Sequence, residues 1–260
     1  MRVFSGLGLM ALLLGGAANG QDKPAQLKFD VATIRPTPEG APRGWSKPLP
    51  SGMGYSVQNF PIKLLVSLVY RVPVLQIENA PLWLSRENYD IEARTDKVCT
   101  HAELDEMLRS LLEERFGLKM HKITKEGPVF VLTVDKGGVK MKPAEFGLPL
   151  AIPIIDREDG SYVGTRVPME YLCWWLALQL RWDKLPVINK TGLDGSYDLT
   201  LSFAPVIPAG GSSEGYPPEM MDRPSIFEAL QQQLGLKLER APKGPVETYV
   251  IDQITRPTAN

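Results

Sequence analysis

Three blocks of this sequence occur twice and in the same order, which constrains the fold more than any other feature. In the first block a tyrosine stands six residues before a proline in both copies, and in the second Tyr-Asp precedes an aliphatic residue. The third block contains Gly-Leu-Lys in both copies. Self-similarity in register indicates that one structural unit is used twice. The paired blocks are 55–65 and 162–172, 89–91 and 197–199, and 116–120 and 234–238.

Each copy is predicted to contain two helices. The first follows the shared proline, at 62–70 and at 169–180, because proline is tolerated where a helix begins. The second is predicted at 101–116, where leucines recur at helical spacing, and at 225–234, where a serine and a glutamate three residues later form a capping box. The residues after these two helices, Gly117 and Gly235, suit a left-handed C-terminal cap.

Short strands flank these helices, and a β-hairpin is predicted to close each copy. The first hairpin pairs 118–124 with 129–134, and the second pairs 236–239 with 247–254, each around a Gly-Pro dipeptide. The predicted fold class is therefore α+β, with two tandem βαββαββ-like repeats that form a pseudo-symmetric body of mixed sheet and helices. The two repeat halves span 27–143 and 161–260.

The first twenty residues have the pattern of a secretory signal peptide. Arg2 precedes a short apolar run, and small residues follow up to Gly20. The apolar run is too short to span a membrane, and no later segment is long and apolar enough. The mature chain is therefore expected to be exported, periplasmic or extracellular, without a membrane span.

The charge balance disfavours nucleic-acid binding. Removal of residues 1–20 takes away one of the 29 Lys and Arg residues, which leaves 28 cations against 30 Asp and Glu and a formal charge of −2. The cations form no dense cluster, and binding to nucleic acid of any sequence depends on concentrated Lys and Arg.

The sequence contains little material for catalysis or metal binding. His101 and His121 are the only histidines, and neither belongs to a metal-ligand motif, so no metal or other cofactor is expected. The recurring pair Asp90 and Asp198 supports a hydrolase hypothesis, with Tyr89 or Tyr197 as orienting groups, if the two carboxylates converge in one cleft. The alternative is that both aspartates recur because the fold needs them.

Cys99 and Cys173 are the only cysteines. In an oxidising compartment they could form a disulfide, which requires their Cα atoms to approach within about 7 Å. The alternative is that Cys173, inside an apolar run, is a small buried hydrophobic residue.

Aromatic residues are the candidates for a binding site, because tryptophan and tyrosine are enriched at binding hot spots. Trp83 lies in an irregular stretch, and Trp174 and Trp175 are adjacent on a predicted helix, so only one of these two can face a groove. We take Trp83, Trp175, Tyr89 and Tyr197 as the binding candidates. Ordinary core packing is the alternative for each tryptophan.

Several blocks resemble domain of unknown function 3738, a family of exported proteins of soil bacteria. The matching residues are Phe29-Asp-Val-Ala-Thr-Ile-Arg-Pro36, Leu111-Leu-x-x-Arg-Phe-Gly-Leu-Lys-x-His121, Lys190-Thr-Gly-Leu-x-Gly-x-Tyr-Asp198 and Gln233-Leu-Gly-Leu-Lys-Leu-Glu239. The resemblance implies a sensing role outside the cytoplasm and carries over no catalytic residue. The order of elements in each half also resembles the secretin/TonB short N-terminal domain, which makes protein contacts in the periplasm.

These observations together predict an exported binding or sensing protein of the cell envelope. Its expected partner is an envelope protein, a peptide or a cell-wall component. A secreted hydrolase using Asp90 and Asp198 is the alternative.

Overall fold

A computed structural model describes residues 26–145 and 152–257 of the chain. The predicted signal peptide, 1–20, lies outside the described residues. The structure contains helices and three mixed or antiparallel sheets, which confirms the α+β class. The pseudo-symmetry of the two halves stays a prediction.

The first half is built on an antiparallel sheet with the strand order β1-β5-β3-β2. Helices α1 and α3 pack on each other and contribute many of the buried side chains of the first-half core, among them Leu65, Leu108 and Phe116. The elements are, in chain order, β1 (Val31–Pro36), β2 (Trp45–Pro48), β3 (Gly54–Pro61), α1 (Ile62–Tyr70), a 3-10 turn (Val74–Gln76), β4 (Ile77–Glu78), α2 (Trp83–Arg86), β5 (Asn88–Arg94) and α3 (His101–Phe116).

The second half contains another antiparallel sheet, with the strand order β7-β11-β9-β8. Its core is formed around α4, most of whose residues are buried, together with residues of β9, β11 and α6. The elements that follow α3 are β6 (Lys119–Val134), β7 (Lys142–Pro143), β8 (Ile154–Asp156), β9 (Tyr162–Pro168), α4 (Met169–Gln179), β10 (Val187–Asn189), β11 (Ser196–Leu201), α5 (Pro218–Met221), α6 (Ile226–Ala229), a π-helical segment (Leu230–Leu234) and β12 (Leu236–Gln253).

Local sequence signals set the ends of the helices as predicted. Ser225 and Glu228 form the capping box of α6, and Gly235 ends the following π-helical segment in the left-handed region, with φ of 69°. Gly117 ends α3 in the same way, with φ of 60°. Thr100 and Glu103 form a second capping box, at the start of α3.

The two predicted hairpins are wrong. β6 and β12 are each one long strand, and they pair with each other antiparallel from Leu236 opposite Val134 to Gln253 opposite Lys119. The Gly-Pro dipeptides remain extended inside these strands, and Gly127 lies opposite Gly244. The physical reason is that a residue before proline favours extended backbone, so Gly-Pro continues a strand as readily as it begins a turn.

Each strand of the long pair contributes side chains to the core of the other half, and we call this arrangement the exchange. Phe130 and Leu132, from β6, are buried in the second-half core, whereas Ile251, near the end of β12, is buried in the first-half core. Two short strands complete the central sheet: β4 pairs parallel with β12, and β10 pairs parallel with β6, in the order β10-β6-β12-β4. The second-half core therefore contains the end of β6, and the first-half core contains the end of β12.

Replacing Ile251 with alanine tests this exchange. Ile251→Ala is expected to lower the free energy of unfolding by about 2–5 kcal/mol because it leaves a cavity in the first-half core. Native-state hydrogen exchange should show the loss of protection in α3. The matched control, Leu238→Ala on the same strand, should loosen α4, because Leu238 is buried in the second-half core. Loss of protection in α4 with α3 unchanged in Ile251→Ala would contradict the exchange.

Candidate functional site

Asp90 holds a bulge in the first-half sheet. Its Oδ1 accepts a hydrogen bond of 2.8 Å from the backbone N–H of Asn59 and another of 2.8 Å from the Thr37 hydroxyl. Asn59 has a positive φ of 47° and lies where the pairing of β3 with β5 shifts register. The carboxylate thus stabilises a backbone conformation that few residues other than glycine adopt readily.

Asp198 does the same in the second-half sheet. Its Oδ1 accepts a hydrogen bond of 2.8 Å from the backbone N–H of Arg166, which has a φ of 50°. The register of β11 with β9 shifts at this point. The two aspartates therefore serve separate bulges in separate sheets.

Trp83 and Tyr89 do lie together, in contact with the C-terminal segment. Their rings meet edge to face with centroids 6.4 Å apart, and the guanidinium of Arg256 lies 5.1 Å from the Trp83 ring centre. The Tyr89 hydroxyl donates to Glu87 at 3.1 Å, and Glu87 forms an ion pair of 2.6 Å with Arg256. These contacts attach the segment around Arg256 to the first half.

Trp175 and Tyr197 pack against the second-half core. The Trp175 ring is buried, with its centroid 4.9 Å from that of Tyr162 and 6.1 Å from that of Phe203. Tyr197 is partly buried against the same core. Of the two adjacent tryptophans, Trp174 is the one that faces a cleft.

Cys99 and Cys173 are free thiols, so the disulfide that the sequence left open is not formed. Cys99 belongs to the first-half core and Cys173 to the second-half core. Burial, followed by the nearby Glu170 carboxylate, raises the pKa of the Cys173 thiol to about 12. This thiol is protonated at neutral pH and is a poor nucleophile there.

The two histidines have separate partners. His121 is exposed, with Nδ1 2.9 Å from Asp252 Oδ1, whereas His101 is buried at the start of α3. Among the described residues, no group of three or more His, Cys, Asp or Glu side chains is arranged to hold a metal ion.

A cleft of about 380 Å³ lies between the two halves, and we call it the inter-half cleft. One wall is the chain from Tyr70 to Gln76, after α1, and the other is the face of α4 that carries Glu170, Cys173, Trp174 and Ala177. These four residues have the spacing of one helix face. The remaining lining residues belong to the central sheet. They are residues 186–189, at β10, and Pro245, Glu247 and Tyr249, on β12.

Arg71 joins the two walls of the inter-half cleft. Its guanidinium carbon lies 4.5 Å from the ring centre of Tyr171 and 5.2 Å from that of Trp174, which are cation–π distances. Arg71 also occupies the left-handed region, with φ of 54°, where an ordinary side chain is strained. Contacts of its side chain offset that strain, and such strain is often found at functional sites.

A buried carboxylate holds Arg71 in place. Arg71 Nη2 pairs with Asp105 Oδ2, and His101 Nδ1 lies 3.3 Å from the same oxygen. Asp105 is only 5% exposed, so its charge depends on this pair for compensation. Burial raises the pKa of Tyr171 to about 12, which keeps its hydroxyl neutral beside the pair.

One side chain that lines the inter-half cleft has a buried donor without a hydrogen-bond partner among the described residues. Trp174 is 7% exposed, and its indole Nε1 is fully buried without an acceptor. Gln76, on the opposite wall, is 8% exposed. Buried polar groups are nearly always paired, so each such exception calls for an explanation.

Sequence reasoning missed Arg71, Gln76 and Asp105. Arg71 and Asp105 are 34 residues apart, and nothing local predicts their contact. The signal that existed was the pair of adjacent tryptophans, of which Trp175 was taken as the binding candidate, whereas Trp174 is the one that lines the inter-half cleft. Chemically, the inter-half cleft offers apolar and aromatic contact surface and two carboxylates.

The comparison with family models identifies the family of this chain. Residues 63–254 match the family described as "Protein of unknown function (DUF3738)", so the chain belongs to that family. No curated protein and no solved structure matches the chain significantly. The resemblance of each half to the secretin/TonB short N-terminal domain stays a prediction.

None of the helices within 26–145 and 152–257 has the length and apolar character that crossing a membrane requires.

Removing the Arg71 guanidinium tests its role at the junction of the halves. Arg71→Ala is expected to lower the free energy of unfolding by about 3–5 kcal/mol, because Asp105 is left buried without a counter-charge. Urea unfolding at neutral pH measures this loss. Adding Asp105→Asn should recover part of it, since the two side chains are coupled.

Arg181→Ala is the matched control, because exposed Arg181 lies 4.8 Å over the Trp182 ring without a buried carboxylate. Arg181→Ala should lower the free energy of unfolding by less than about 1 kcal/mol. Equal effects of Arg71→Ala and Arg181→Ala would contradict a structural role for the buried pair.

Proposed function

We propose that this chain is an exported binding or sensing protein of the cell envelope that holds its ligand in the inter-half cleft. The observation that carries the proposal is the inter-half cleft itself, which is lined by Tyr70 of the first half and by Trp174 of the second.

The shape and composition of the inter-half cleft support the same proposal. Its volume of 380 Å³ is within the range of small-ligand sites, and it lies where two bodies of the fold meet. Aromatic rings line it from both sides: Tyr70 and Tyr249 have centroids 6.0 Å apart, and Trp174 belongs to the opposite wall. An envelope protein, a peptide or a cell-wall component is the kind of partner that such a surface takes.

Export and duplication belong to the proposal as inferences from sequence. The pattern of residues 1–20 supports secretion, and the paired blocks support an origin of the two halves from one copied unit. The resemblance of each half to a periplasmic module that makes protein contacts favours a partner outside the cytoplasm.

The hydrolase alternative has less support. Asp90 and Asp198 each use Oδ1 to bind the backbone of a bulge, and they belong to different sheets. A paired-acid mechanism needs its two carboxyl groups within about 5–10 Å across one substrate.

Filling the inter-half cleft tests the proposed function. Ile188 lies on β10 and lines the cleft, so Ile188→Trp should obstruct it. After incubation with an envelope extract of the native host, the wild-type protein should melt a few degrees higher, as expected for a ligand in excess over its Kd. Mass spectrometry of the re-purified protein would identify what is retained.

Ile155→Trp is the matched control, since Ile155 is an exposed isoleucine on an edge strand of the second-half sheet. This variant should bind like the wild type, and Ile188→Trp should not. Equal retention by both variants would place binding outside the inter-half cleft, and no retention by any of them would contradict the proposed function.

A further inference from the structure

Two separate cores lie at the two ends of the pair formed by β6 and β12, and we call this pair the ribbon. The first-half core contains Ile251 of the ribbon, and the second-half core contains Leu132. Of the described apolar residues that precede the ribbon, only Leu68 packs against the second-half core, and none of those between β6 and β12 packs against the first-half core. Two bodies that share so little apolar surface move relative to each other unless other contacts fix them.

The helices and strands show the same separation. Apart from β6 with β12, each closely packed pair of elements lies on one side, for example α1 with α3 and α4 with β10. Outside the ribbon, the described hydrogen bonds and ion pairs also stay within one half, with the exception of Arg71. Its guanidinium lies on the rings of Tyr171 and Trp174, both on α4.

The ribbon is narrowest between the two cores. β10 pairs with β6 at 130–132, and β4 pairs with β12 at 249–250. Between these places the central sheet is only two strands wide. A two-stranded ribbon twists more than a wider sheet, and it has little stability of its own.

The sequence weakens the ribbon within this narrow part. Pro128, Pro242 and Pro245 have no backbone N–H that could donate to the ladder. Gly127 lies opposite Gly244, and the register shifts immediately before Gly244, where β12 carries an extra residue. A bulge bends the strand that contains it, and glycine adopts more backbone conformations than other residues. We call residues 127–128 and 242–245 the ribbon middle.

We propose that the ribbon middle is a hinge about which the two halves rotate, and that Arg71 is the contact that limits the rotation. The walls of the inter-half cleft lie on opposite sides of the ribbon middle, since one follows α1 and the other is α4. Rotation therefore changes the width of the cleft, as in other proteins whose domains open and close about a few residues. This inference goes beyond the proposed function, because it concerns the protein without a ligand.

Spin labels on the two outer sheets measure the rotation. In a background with Cys99 and Cys173 replaced by alanine, Val31→Cys and Ile155→Cys place labels at exposed positions of the first-half and second-half sheets. Double electron–electron resonance then gives the distribution of distances between the halves. Val31→Cys with Leu82→Cys is the control pair, because both exposed residues belong to the first half.

Arg71→Ala combined with Asp105→Asn releases the contact without leaving a buried charge. In this double variant the distribution between the halves should become at least about twice as wide, whereas that of the control pair should stay unchanged. Arg71→Lys keeps a charge beside Asp105 but loses the flat guanidinium, so it should broaden the distribution in the same direction. Arg181→Ala, which removes an arginine from the ring of Trp182, should change neither distribution.

Hydrogen exchange locates the movement. In the double variant, the amides of the ribbon middle should exchange at least about tenfold faster than in the wild type, because bending there opens ladder hydrogen bonds. The amides of β5 and β11, in the two outer sheets, should keep their protection. If β5 or β11 loses protection in the double variant, Arg71→Lys decides by the same two measurements.

Each part of the inference has its own contrary result. An unchanged distribution between the halves after the loss of the Arg71 contact would overturn the hinge and the role of Arg71. Broadening without faster exchange at the ribbon middle would overturn the position of the hinge. Neither result bears on the proposed function, which depends on retention of a ligand by the wild type and not by Ile188→Trp.

Discussion

The antiparallel pairing of β6 with β12 is the interaction on which the rest of the structure depends. It runs almost the whole length of both strands, from Leu236 opposite Val134 to Gln253 opposite Lys119. Because Leu132 is buried in the second-half core and Ile251 in the first-half core, neither half has a complete core without the other. The same strand pair supplies part of the lining of the inter-half cleft, through Pro245, Glu247 and Tyr249 of β12.

The junction of the halves combines this shared sheet with a buried charge pair. Hydrophobic exchange contributes stability, whereas a buried ion pair contributes little net stability and tends instead to fix one arrangement. Arg71 illustrates the distinction, because it pairs with Asp105 in the first half and stacks on Tyr171 and Trp174 of the second. We infer that Arg71 sets the relative position of the two walls, because it contacts residues of both halves.

How far the sequence predicted this structure depends on the range of the interactions involved. The helices, their glycine caps and the capping box of α6 were predicted because they depend on residues within one or two turns. The hairpins could not be distinguished from the exchange, since a strand pattern interrupted by Gly-Pro is compatible with folding back on itself and with pairing elsewhere. Arg71, Gln76 and Asp105 escaped notice because their surroundings are made by segments that are far apart in the sequence. Asp90 and Asp198 were recognisable by recurrence, and the structure gives the physical reason, a carboxylate that holds a bulge in each sheet.

Disulfide trapping tests the exchange most directly, in a background where Cys99 and Cys173 are replaced by alanine. Thr124 and Glu247 are Cα partners in the ladder of β6 with β12, so cysteines at these positions should form a disulfide on mild oxidation. Cysteines at Thr124 and Val129 would close the hairpin expected from the sequence, but in one extended strand they lie about 17 Å apart and should remain reduced. Trapping of the second pair in the folded protein, with the first pair left reduced, would contradict the exchanged strands and the inter-half cleft that they form.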